Sequence, residues 1–145
     1  FTSSPPPTAT PADRQGWVDS FGELYRLEEE DIVAHNALED RIRESGKTPS
    51  GFLDEWEDQA EAYRDGAYKF VTEGNLPRFS EVREINDRIS TFVEARVRQR
   101  ELYIRSLKTG NNELYDESQA LRFENNKEWR AIKDMESDLN RKWFS

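Results

Sequence analysis

Phe52, Trp56, Tyr63 and Phe70 fall on one stripe of a single helical stretch, Phe52 to Val71, with Ala60 and Ala67 on its flank. Intervals of 4, 7 and 7 residues keep side chains on one face of an α-helix. A face this aromatic has to be buried, so the rest of the chain has to supply surfaces that cover it. Three further stripes at helical spacing do so. The first carries Trp17, Phe21, Leu24, Tyr25, Ile32, Leu38 and Ile42. The next carries Val82, Ile85, Ile89, Phe92, Val93, Val97, Ile104 and Leu107, and the last Leu114, Leu121, Trp129, Ile132, Met135, Leu139 and Trp143. No stretch alternates apolar and polar residues for long enough to compete as a strand.

Breakers separate the four stripes. Thr10 is placed to cap a first helix from about Pro11 to about Ser45, with Pro11 at its first position and Asp13 as the capping-box acid. Gly16 and Gly22 each weaken its first turns by roughly 1 kcal/mol relative to Ala, which moves the expected start to Asp19 or later. Gly46 ends this helix in a left-handed conformation. Thr48 or Ser50 caps a second helix that runs to about Thr72, and Gly74-Asn75 with Pro77 fills the next connection. Ser80 caps the third helix, and Thr109-Gly110-Asn111-Asn112 separates it from a fourth that reaches the C-terminus. Short connections make neighbouring helices antiparallel. The expected fold is therefore all-α: an up-down-up-down four-helix bundle over residues 12–145, with coiled-coil-like packing. Ahead of it, the Ser/Thr/Pro-rich residues 1–11 read as a disordered or extended tether.

Composition narrows the classes. Hydrophobic residues make up 34% and charged residues 35%, a balance that suits a bundle with a narrow buried seam and a wet exterior. With 21 basic and 30 acidic side chains the net charge is −9, which disfavours nucleic acid and favours a basic protein partner. The chain contains no cysteine, so disulfides, thiolate catalysis and Cys-ligated metals are out of reach. No apolar run is long enough to span a bilayer. The tether suggests export, with a lipid anchor upstream of Phe1 as one form of it, and a secreted, periplasmic or cell-surface location; nothing in the residues excludes the cytoplasm.

Candidate chemistry is sparse. The lone histidine, His35, follows Asp31 by one turn and Glu28 by two on the inner side of the first helix. Those three are the weak metal candidates, but paired Glu-x-x-His motifs are absent, so neither a metal nor another cofactor is expected. The acids Glu28-Glu29-Glu30-Asp31 fan around the helix and read as partners for arginines of a neighbouring helix. Arg96, Arg98, Arg100 and Arg105 form the one locally basic stretch. It reads as surface ion pairing with acids of the first and last helices, each pair contributing about 0–1 kcal/mol, in preference to a phosphate-facing surface. Ser118, Asn125 and Asn126 lie close to the seam of the last helix, with Arg96 as their expected counterpart across the core. No nucleophile–base pair or Gly-x-Ser-x-Gly is present, so no enzyme is expected.

The short second helix leaves one end of the bundle uncovered. Trp17, Phe21, Phe79, Trp143 and Phe144 collect there. Either the 74–79 connection folds over them, or they form an aromatic binding patch or a homodimer contact. The leading expectation is a non-enzymatic protein-interaction domain that uses its acidic surface or this aromatic end. The alternatives are an acidic inhibitor or immunity-type protein against a basic enzyme, and a metal- or small-ligand-binding bundle.

Overall fold

The computed structural model describes residues 9–72 and 74–145. Residues 1–8 of the expected tether lie outside the described residues; Ala9 and Thr10 lead into helix α1 (Pro11–Ser45), which takes in Pro11. A 3-10 turn (Pro49–Phe52) precedes α2 (Leu53–Val71), and a second (Ser80–Val82) precedes α3 (Arg83–Thr109). Helix α4 (Asn112–Phe144) completes an all-α four-helix bundle, with no strand among the described residues.

Helix α1 starts earlier than Gly16 and Gly22 suggested. The Thr10 side chain accepts from the Asp13 backbone N–H while Asp13 accepts from the Thr10 N–H, so the capping box outweighs the two propensity penalties. Gly46 and Gly110 close α1 and α3 with positive φ, as the breakers required. Gly22 is exposed within α1, and a Cβ there would meet no other atom within 4 Å. Gly22→Ala is therefore expected to raise the unfolding free energy by about 0.5–1 kcal/mol in a urea melt. Gly66→Ala is expected to gain less, because its Cβ would come to 3.1 Å from Leu27 Cδ1.

Side-chain pairs order the helices. Along α1 and α2 they run in opposite directions, Glu28 meeting Tyr63 and Ala34 meeting Gln59. Along α1 and α3 they run in the same direction: Trp17 with Asn86, Glu28 with Arg96, Asp31 with Arg100. Helix α3 packs closely on α2 and α4, whereas the α1 and α4 backbones lie further apart and meet through long side chains such as Trp17 with Trp143 and Phe21 with Trp129.

The core is divided. One apolar cluster, built on Trp17, Phe21, Leu24, Ile85, Ile89, Phe92, Trp129 and Ile132, fills the end near the start of α1. A smaller one, Leu38, Ile42 and Trp56, fills the other end. Tyr63 and Ala67 of the α2 stripe are buried in the first cluster, Trp56 anchors the second, and Phe52 and Phe70 are half-buried. Between the clusters lies a layer of polar side chains: Glu28, Asp31, His35, Arg96, Gln99, Arg100, Ser118 and Asn125, all buried.

Candidate functional site: the polar layer and its opening

The α1 seam reads 17, 21, 24, 28, 31, 35, 38, 42, an unbroken alternation of 4 and 3 residues. Glu28, Asp31 and His35 occupy interior positions of that repeat, so burial of the neighbouring apolar residues forces them inside. Helix α3 answers with Arg96 and Arg100, only 3% and 4% exposed. Arg96 Nη2 donates to Glu28 Oε2 at 3.2 Å and Arg100 Nη2 donates to Asp31 Oδ2 at 2.6 Å. The Tyr63 hydroxyl donates to the other Glu28 oxygen, and Arg96 Nη1 reaches Asn126 Oδ1 at 3.4 Å. The expected partnership of Arg96 and Arg100 with α1 acids is present, but these are buried ion pairs rather than surface ones. Arg98 alone follows the surface reading, at 3.5 Å from Glu117.

Burial dominates the titration of this layer. It pushes the Glu28 and Asp31 carboxyls above their ordinary range, against the pull of Arg96 and Arg100. It pushes the Tyr63 hydroxyl well above its usual range, and the Glu28 charge adds to this. Burial alone would lower Arg96, but the charges of Glu28, Tyr63 and Asp31 outweigh it and hold the guanidinium charged.

His35 is pushed down to about 4 by burial, and then by the charges of Arg100 and Arg122. Its Nε2 lies 2.7 Å from Glu39 Oε1, and Arg122 Nη1 donates to the same oxygen at 3.3 Å. A lowered histidine pKa favours the neutral ring in the fold. The associated stability is present above about pH 6.5 and is lost as pH falls toward about 4. Glu28 and Asp31 act with the opposite sign, since a raised carboxyl pKa makes acidification favour the fold. A variant comparison isolates the histidine: between about pH 7 and about pH 4.5, wild type is expected to lose roughly 2 kcal/mol more unfolding free energy than His35→Gln in urea melts. Equal losses would mean that the ring is not held neutral.

These three former metal candidates are each engaged by a neighbouring side chain. Among the described residues no group of three or more His, Asp or Glu is arranged to hold a metal ion.

The layer opens to solvent where α1 and α4 part. A cleft of about 300 Å³ runs there, with Ile32, His35 and Asn36 on one wall and Arg122, Asn126, Trp129, Arg130 and Lys133 on the other. Arg96, Gln99 and Arg100 of α3 line its floor. Five cationic side chains thus converge in a protein of net charge −9. Several donors lack partners: Arg100 Nε and Nη1, Arg96 Nε and the Trp129 indole N–H. Lys133 Nζ lies 5.8 Å from the Tyr25 ring centre and 5.9 Å from that of Trp129. Arg122, Arg130 and Lys133 were not among the residues singled out from the sequence. Their signal is the spacing 122, 126, 130, 133, which places donors on one face of α4.

A larger cavity of about 420 Å³ beside the α2–α3 connection is lined by Phe70, Leu76 and Phe79 together with Arg83 and Asp87. Its charged side chains are exposed, so it holds no buried charge for a ligand to answer.

The aromatic residues predicted at one end do meet. Trp17 stacks on Phe21 at 5.3 Å and meets Trp143 edge-on at 5.9 Å, and Phe79 lies 5.9 Å from Trp143. Trp17 and Phe21 are interior, however. The connection packs Leu76 into the same cluster, and the Pro77 carbonyl accepts from Asn86 Nδ2. Phe144, 46% exposed, and half-buried Phe79 and Trp143 form the accessible remainder. Glu81 ties this end together, accepting from Arg14 at 2.8 Å and from Trp143 Nε1 at 2.9 Å.

No family model, curated protein or solved structure matches this chain.

Proposed function

We propose that this chain is a non-enzymatic binding bundle, its helices arranged up-down-up-down, that captures a negatively charged group in the cleft between α1 and α4. One observation carries the reading: the convergence of five cationic side chains, two of them buried, in an otherwise acidic protein. Arginine interiors are costly to build, and a cleft floored by such residues, whose buried N–H groups are not all partnered, favours an anion over any neutral ligand. Recognition rather than catalysis fits the titration of the cleft. His35, held near 4, is too weak a base to accept a proton at neutral pH, and the arginines do not release theirs.

The test is thermal unfolding in sulfate against chloride at equal ionic strength, for wild type and Arg122→Gln. General salting effects are common to both proteins. Wild type is expected to gain up to about 2.7 kcal/mol at a hundredfold excess of sulfate over its dissociation constant, and the variant clearly less. Equal shifts would count against the cleft.

A second reading, a protein partner at the aromatic end, is favoured by the exposure of Phe144 beside Trp143 and Phe79. Protein capture that is indifferent to Phe144→Ala would count against it.

A further inference from the structure

Three of the five cations in the cleft already have carboxylates. Arg96 pairs with Glu28, Arg100 with Asp31 and Arg122 with Glu39. Five less three leaves two, Arg130 and Lys133, and neither has a carboxylate within 4 Å among the described residues. They sit three residues apart on α4 and line the same wall. Lys133 is held against the Tyr25 and Trp129 rings rather than by an acid, so its ammonium is positioned without being neutralised. Beneath them are Arg100 Nε and Nη1 and the Trp129 indole N–H, buried donors with no acceptor. The volume, about 300 Å³, equals that of about ten water molecules. That is the scale of a small-molecule site.

Resting on the anion-binding reading above, we propose that the ligand is a small dianion whose charges are answered by Arg130 and Lys133, while the buried N–H groups of Arg100 and Trp129 donate to its oxygens. Phosphate monoesters and dicarboxylates share that chemistry: two negative charges and oxygens that only accept. A monoanion leaves one cation unanswered, and a cation or neutral sugar meets donors where it needs acceptors. The paired floor explains why two charges suffice. Glu28, Asp31 and Glu39 cancel the arginines nearest to them and leave those side chains to supply direction rather than net charge.

Calorimetric titration at about pH 8 tests this, with glycerol phosphate and succinate as dianions and acetate as the monoanion at matched ionic strength. The phosphate ester is doubly ionised there, its second pKa being about 6. At least one dianion is expected to bind tenfold or more tightly than acetate. Tight binding of glycerol phosphate alone assigns a phosphate monoester, and of succinate alone a dicarboxylate. Arg130→Gln and Lys133→Gln are each expected to weaken the dianion several-fold, and the double variant to abolish the preference over acetate. Both positions are at least partly solvent-accessible, and circular dichroism checks that the variants remain folded. Acetate binding as well as either dianion, with Arg122→Gln weakening it, overturns the dianion and leaves the anion cleft in place. Absence of binding by all three overturns both. A double variant that keeps the preference overturns the assignment to Arg130 and Lys133.

Discussion

Replacing Arg96 with Met is expected to lower the unfolding free energy by roughly 3–5 kcal/mol. The substitution keeps much of the volume but leaves Glu28, fully buried, without its countercharge. Tyr63 still donates to one Glu28 oxygen, and the other faces an apolar side chain. Glu28 is already pushed toward its protonated form by burial, so loss of Arg96 drives it further and ties stability to pH. The double variant Glu28→Leu with Arg96→Met is expected to recover most of the loss, because exchanging a whole buried pair for apolar groups costs far less than removing one member. Urea denaturation of the four proteins of this cycle at about pH 7 measures the coupling. Additive losses in the double variant would mean that Glu28 and Arg96 do not compensate each other.

Trp17→Ala is expected to cost about 3–5 kcal/mol. Trp17 has no exposed surface, stacks on Phe21 and meets Trp143 edge-on. Its indole N–H donates to Asn86 Oδ1 at 2.8 Å, and Asn86 in turn holds the Pro77 carbonyl. Truncation therefore opens a cavity and releases the α2–α3 connection at one stroke. Phe144→Ala, at the exposed edge of the same aromatic group, is expected to change stability by less than about 0.5 kcal/mol. Similar losses for the two would contradict the division of that group into an interior and an accessible part.

Most of the helical framework was legible because it is written in local chemistry. Gly46 and Gly110 mark ends that need left-handed backbone, and Thr10 with Asp13 marks a start. The start of α1 was misread when two glycine propensities were set against one capping box. Their cost is spread along a long packed helix, whereas the cap acts where the helix must begin. The aromatic residues of one end were legible as neighbours, and their burial beneath the 74–79 connection was one of the readings open for them. That burial depends on Leu76, an apolar residue inside a turn, folding back on them.

The polar layer was legible only in part: Glu28, Asp31 and His35 read as inner-side residues of α1, but their arginine partners read as surface ones. Counting only apolar residues along α1 breaks the repeat at Leu24 and resumes it at Leu38. Counting positions instead shows that Glu28, Asp31 and His35 keep the register. Residue type argued for solvent-facing ion pairs with the arginines, and register decided for buried ones. The cleft was further from view, since it gathers residues near 32–36, 96–100 and 122–133 from three helices. No local window contains that convergence. A net charge of −9 also points away from it, because a global sum hides a local reversal of sign.

Arginine side-chain resonances give the most direct measurement of a cationic cleft in this acidic bundle. Nitrogen–proton spectra of the Nε groups, recorded at constant ionic strength while whichever of glycerol phosphate and succinate binds more tightly is added, separate each arginine by its place in the fold. The expected result is a saturable shift of Arg100, Arg122 and Arg130 with a single dissociation constant, while Arg98 and Arg105, outside the cleft, stay in place. Shifts of similar size in all five, or none in the cleft while the protein remains folded, would contradict it.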